Sequence, residues 1–142
     1  MGLTSQLRAD HAEFAVLGRE IEAILRSSAP GHDREHLAGL VKKFQVRLDE
    51  HSRLEDDVFY PAVRGVMGRS VLIDQKYMDH LDNEHRSIDG HLAKLVEQVT
   101  APKLMLGWGQ TFAIFSVGLR SHMRREEEEL FPEAERLLGE AL

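Results

Sequence analysis

The sequence predicts an all-α fold, an antiparallel up-down-up-down four-helix bundle. Three observations predict it. Apolar residues recur every three or four positions through four long segments. The breaks between segments are short and marked by Pro30, by Gly65 to Gly68 and by Pro102. No stretch alternates apolar and polar residues as a strand would.

The first segment runs from about Leu3 to Ser27, with Thr4 or Ser5 as candidate caps. Leu7, Phe14, Leu17, Ile21 and Leu25 form its stripe, and Ser27 to Gly31 end it. The second starts near Asp33, a candidate N-cap, and carries Leu37, Leu40, Val41, Phe44, Leu48 and Val58. Pro61 falls late in it, and Gly65 to Ser70 break it. The third runs from about Val71 to Val99, with Leu81, Ile88, Leu92, Leu95 and Val99 in register. Thr100 to Lys103 turn the chain. The fourth runs from about Leu104 to Leu138, with Phe112, Phe115, Leu119 and Leu130 on its seam. Gly107 and Gly109 weaken its start. Pro61 and Pro132 are expected to distort their helices just beyond the candidate site described below.

Composition narrows the function. The chain of 142 residues fits one domain over 1–142, with 18 basic and 24 acidic residues and a net charge of −6. An acidic balance argues against nucleic acid as a partner. No run of apolar residues is long enough to cross a membrane. The N-terminus lacks the basic-then-apolar order of a signal peptide, so a cytoplasmic protein is expected. The absence of cysteine excludes disulfides, thiolate zinc sites, cysteine-held iron–sulfur clusters and cysteine nucleophiles. The glycines follow no predicted strand, so no phosphate loop is present. Eight histidines remain, and imidazole and carboxylate are the ligands left for a metal.

Polar residues interrupt the apolar seams at particular places. His11 follows Leu7 and precedes Phe14; His51 and Glu55 follow Leu48; His85 stands between Leu81 and Ile88; His122 and Glu126 lie between Leu119 and Leu130. Steps of three or four residues turn all six toward the bundle interior. Their depths agree too. At a rise of 1.5 Å per residue, His51 and Glu55 lie roughly 15–25 Å before the Gly65–Gly68 turn, and His85 roughly 20 Å after it. His122 and Glu126 likewise return to the level of His85 after the Pro102 turn, and His11 lies at that end of the first helix.

The pattern is repeated within the chain. His51-x3-Glu55-x5-Pro61 matches His122-x3-Glu126-x5-Pro132, and Asp10-His11 matches Glu84-His85. Histidine and glutamate four apart share one helical face. Each hairpin can therefore give one metal two imidazoles and a carboxylate, and the two hairpins together can hold two metals. Burying two glutamates and four histidines without cations would strain a domain whose net stability is about 5–15 kcal/mol. Mixed imidazole and carboxylate ligation suits iron or manganese, with zinc as a contaminant.

With these residues in hand, the chain resembles the hemerythrin-like, or HHE cation-binding, domains. It is similar to the subgroup with the order H, HxxxE, H, HxxxE, here His11, His51-x3-Glu55, His85 and His122-x3-Glu126. The resemblance covers about Leu3 to Leu138, and the aromatic residue before each proline adds to its specificity. It implies a four-helix bundle holding two non-haem iron ions, with Glu55 and Glu126 bridging them beneath an oxo or hydroxo group. Manganese or zinc would be the substitutes. Members of the family bind dioxygen, handle peroxide or nitric oxide, store or sense iron, or signal redox state. Two functions are therefore expected in competition. One is a di-iron protein acting on peroxide, dioxygen or nitric oxide, with catalase-like peroxide removal as its enzymatic form. The other is a non-enzymatic iron, oxygen or redox sensor using the same site. A metal-free helical interaction module is the third alternative. The expected partner is a small molecule, and the chain a monomer or homodimer.

The sequence departs from the oxygen-carrying members at two positions. They have a further histidine where Leu81 stands, and a carboxylate five residues after the last histidine, which would be Glu127. Both the seam and the repeat favour Glu126. The missing imidazole is expected to leave one iron with an open or water-filled position. Glu84 and Asp89 are the alternatives that would fill it. His80 and His91 are expected at a helix flank or surface, His32 and His36 in solvent, and Asp56, Asp57 and most of Glu126 to Glu129 on a solvated face.

Overall fold

Four long helical rods carry the chain in the computed structural model, which describes residues 2–27, 33–101 and 107–139. α1 spans Leu3–Leu25. α2 runs through Arg34–Leu54, widens into a π-helical turn at Glu55–Phe59 and continues as Tyr60–Val66. α3 spans Gln75–Val99. α4 runs through Trp108–Arg125, widens again at Glu126–Leu130 and continues as Phe131–Leu138. There is no strand among the described residues. α1 packs on α2, α2 on α3 and α3 on α4, whereas the closing seam between α1 and α4 is sparsely packed. This is the expected bundle.

Several helix starts differ from expectation. Gly2 occupies the first N-cap, without a side-chain bond, and Thr4 lies buried inside α1 instead of capping it. Asp33 does precede α2, but its side chain makes no capping bond. α3 begins at Gln75, not Val71. The Ser70 hydroxyl accepts the N–H groups of Leu72 and Ile73 at 3.1 and 2.9 Å, holding a turn there. Asp74 then caps the helix by accepting the Tyr77 N–H at 2.8 Å. Gly107 precedes α4 with φ of +84°, a conformation that a side chain would strain. The expected turns around Pro30 and Pro102, His32 and the expected start of the fourth helix at Leu104 lie outside the described residues.

Prolines explain the π-helical turns. An α-helix would bond the N–H of residue 61 to the Asp57 carbonyl, but Pro61 has no N–H and its ring crowds that carbonyl. The backbone widens upstream, so that the Tyr60 N–H reaches back five residues to the Glu55 carbonyl. Pro132 has the same effect, and the Phe131 N–H bonds to the Glu126 carbonyl. The distortion therefore sits on the two glutamates themselves, not beyond them. It also shifts the seam by one residue. Phe59 and Tyr60 are fully buried, and Val58, expected on the core face, is 49% exposed.

The core has two apolar clusters. One gathers Phe14, Ile21, Phe44, Leu92 and Phe112; the other gathers Leu7, Phe59, Leu81, Leu130 and Phe131. Along every helix the polar interruptions fall between members of the two clusters. The bundle thus has a buried polar belt with an apolar layer on each side.

Candidate metal centre

His11, His51, Glu55, His85, His122 and Glu126 all lie in this belt, none more than 6% exposed and the two glutamates not at all. They form two overlapping groups. His11 and His51 meet Glu55 and Glu126 in one, and His85 and His122 meet the same two glutamates in the other. Within each group the potential ligand atoms lie within 4.8 Å of one another. His85 Nε2 stands 2.9 Å from Glu55 Oε1 and 3.0 Å from His122 Nε2. His11 Nε2 stands 3.2 Å from Glu126 Oε1, and His51 Nε2 3.2 Å from Glu55 Oε1. Yet His11 Nε2, both Glu55 oxygens and Glu126 Oε1 have no aligned hydrogen-bond partner. Proximity without alignment means that these lone pairs converge on shared space rather than on each other's hydrogens. Orphaned buried acceptors are costly, and a cation between them would satisfy all of them.

Each histidine is gripped from behind by a carboxylate. Asp10 Oδ2 lies 2.9 Å from His51 Nδ1, and Glu84 Oε1 3.2 Å from His122 Nδ1. Asp56 Oδ1 lies 3.2 Å from His85 Nδ1, and Glu127 Oε1 3.2 Å from His11 Nδ1. A carboxylate there holds the ring proton on Nδ1 and leaves Nε2 as a lone pair facing the centre. The arrangement follows the internal repeat. The acid preceding each lone histidine serves the histidine of the neighbouring HxxxE element, and the acid following each HxxxE glutamate serves the lone histidine. Asp10 is itself fixed by Gln6 Nε2 at 3.0 Å and by Arg47 at 3.3 Å.

The electrostatics show how much positive charge the belt demands. Burial would lower the His51 pKa, but the Glu55 and Asp10 carboxylates outweigh it and push it up to about 9. For His85, burial is likewise outweighed by Asp56 and Glu55, and its pKa is pushed up to about 10. Glu126 is pushed up to about 7 by burial and by the Glu55 charge beside it. Glu55 stays well below the usual carboxylate range, because the close approach of Glu126, His51 and His85 outweighs burial. Without a cation, protons take up its place.

The repeat breaks at one pair of aromatic residues. Phe131 stacks on the His11 ring at 5.6 Å, and Tyr60 stacks on the His85 ring at 5.1 Å. Only Tyr60 carries a hydroxyl. It donates to Glu126 Oε2 at 2.8 Å and stands 3.0 Å from His85 Nε2. A phenol oxygen thus faces the side that the leucine at position 81 was expected to leave open, and could serve there as a further donor.

The remaining expectations divide. Glu84 is not among the converging atoms; it holds His122 Nδ1. Asp89 also lies outside both groups. Asp56 and Glu127, expected to be solvated, keep partial exposure but bind the backs of His85 and His11. His36, His80 and His91 are exposed, as expected. Asp10, Asp56 and Tyr60 were missed as functional groups, and Glu84 and Glu127 were weighed only as metal ligands. Their signal lay in the repeat, which aligns Asp10 with Glu84, Asp56 with Glu127 and Tyr60 with Phe131.

A first prediction concerns these acids. Asp10→Asn keeps the shape of the side chain but removes the charge behind His51. Affinity for a divalent transition metal should fall roughly 10–100-fold, measured by competition with a chelator. Unchanged affinity would show that His51 is oriented without it.

Comparison with known proteins gives three findings. A family model described as the hemerythrin HHE cation binding domain matches residues 2–134. Uncharacterized proteins of Mycobacterium tuberculosis and Mycobacterium bovis are 27% identical to this chain over 126 residues, covering 89% of it and 68% of their own length. No solved structure matches significantly.

Proposed function

Since the chain belongs to the hemerythrin HHE cation-binding domain family, we propose that it is a non-haem di-iron protein that handles peroxide, dioxygen or nitric oxide. Catalase-like removal of peroxide, two peroxide molecules giving two of water and one of dioxygen, is its enzymatic form. The observation that carries this reading is the pair of overlapping groups that share both glutamates. Their orphaned acceptors fit cations, and their donor set suits iron, with manganese or zinc as substitutes.

In this reading His11 and His51 would hold one ion and His85 and His122 the other, with Glu55 and Glu126 available to both. Two irons held there would supply electrons and exchangeable coordination positions to a small oxidant. The protein does the rest. Asp10, Asp56, Glu84 and Glu127 keep the Nδ1 protons in place and the rings aimed inward. The two apolar clusters keep bulk water from the belt. Tyr60 holds a proton on its hydroxyl beside Glu126. At the matching position on the other side, Phe131 stacks on His11 and offers no donor.

A second reading, an iron or redox sensor, draws support from the division of the core. A charged belt separates the two clusters, so metal loading would set how firmly they cohere. Metal analysis after anaerobic iron loading tests the common premise. Two irons per chain are expected, and much less than one would overturn both readings. Oxygen evolution from peroxide then separates them. Turnover well above free iron supports the enzyme, and none from fully loaded protein supports the sensor.

A further inference from the structure

A cavity of about 280 Å³ opens in the sparsely packed seam between α1 and α4. Arg19, Glu22 and Arg120 stand at its polar rim, and Phe44, Phe112 and Phe115 line its apolar depth. A much smaller void of about 10 Å³ lies against His51, Glu55, His85 and His122. That is room for roughly one water-sized molecule. Phe14, Leu119 and Met123 border both spaces and form the partition between them. Resting on the di-iron reading, we propose that uncharged diatomic gases reach the metal centre through this cavity, with Met123 as the movable gate and Gly18 keeping the outer chamber open.

The partition residues differ in freedom. Phe14 is pinned, stacked on Phe44 at 5.5 Å and set edge-on to the His51 ring at 5.3 Å. Met123 is unbranched and can change rotamer without moving the backbone. It also borders a third, polar groove of about 380 Å³ beside His11, Arg8 and Glu127. A swing of its thioether therefore has space to enter. Gly18 lies one turn beyond Phe14 on α1 and borders the cavity. A glycine inside a helix weakens it, and a Cβ added there would meet nothing within 4 Å. Neither close approach nor turn geometry requires a glycine here, and its place on the cavity wall is what sets it apart. The apolar depth selects for ligand chemistry. A neutral gas gains from leaving water for a phenylalanine-lined space, and an anion does not.

The test uses nitric oxide association with iron-loaded protein by stopped flow, and xenon NMR of metal-free protein. Gly18→Leu places its Cβ in open space beside the chamber and should slow nitric oxide association about tenfold, with iron content unchanged and melting temperature no lower. It should also abolish the xenon shift of the parent. Met123→Ala should speed association. Equal rates in parent and both variants, with iron content intact, would overturn the route. Failure to take up iron would overturn the di-iron reading instead. Metal analysis reads that failure separately, and xenon bound by the parent and lost in Gly18→Leu would still support a gas site in the seam.

Discussion

On the two-ion reading, replacing Glu55 by glutamine should empty both metal positions at once, taking bound metal from two ions per chain to well under one. Glu55 is the glutamate of α2 that belongs to both converging groups, and it is fully buried. An amide has nearly the same shape but brings no charge, and it turns donor hydrogens toward Nε2 lone pairs that a cation would use. The loss should exceed about 100-fold in affinity, more than removing an acid behind a histidine. By contrast, His11→Ala touches one group only and should leave the His85–His122 side able to bind. Metal analysis and circular dichroism of both variants check this. Helicity of the metal-free Glu55→Gln protein should match the parent, because the rods are held by two apolar clusters that do not include residue 55. Two ions retained by a folded Glu55→Gln protein would refute a shared carboxylate.

That contrast depends on the geometry, and only part of it was legible in the sequence. The six residues could be read because each interrupts an apolar seam of period three to four, and because one helical rise per residue fixes their depth. The acids behind the histidines were harder to read. Asp56 and Glu127 follow the glutamates and lie off the seam, where a charged residue ordinarily faces solvent. Only the finished packing brings Asp56 from α2 to His85 on α3, and Glu127 from α4 to His11 on α1. Tyr60 was hidden for another reason. In a regular α-helix the three-to-four step from Glu55 leads to Val58 and Phe59. The π-helical turn adds a residue to that turn, and this brings Tyr60 under the belt and leaves Val58 outside. Proline at 61 signals a disturbance but not where the helix absorbs it. Helix starts failed for a simpler reason: a cap depends on local backbone geometry, and several serine, threonine and aspartate residues compete for it around each turn.

The same belt predicts opposite pH responses for the metal-free and metal-loaded protein. In the metal-free protein His51 and His85 hold protons up to about pH 9 and 10, against an ordinary value near 6.5. A cation whose pKa is raised by folding stabilises the fold fully below its unfolded pKa. That contribution is lost as pH rises through the folded pKa, here between about pH 6.5 and 10. Glu126, pushed up to about 7, acts in the same direction, since ionising it in the fold becomes costly from about pH 4.5 upward. Glu55 is held low, so its contribution disappears only in acid below the usual carboxylate range. Metal-free stability should therefore peak in mildly acidic solution and fall toward pH 9–10. The groups share partners and their effects do not add, so the fall should be on the order of 3–5 kcal/mol. For a chain of this size that is about 10 °C or more in melting temperature. Cations in the belt reverse the sign. They need unprotonated imidazole, so binding releases the protons that His51 and His85 hold, and affinity grows with pH. Melting curves at pH 6, 7.5 and 9 should diverge, the metal-free protein losing stability while the loaded protein holds or gains it. Parallel curves would mean that the metals do not displace these protons and bind somewhere other than the belt.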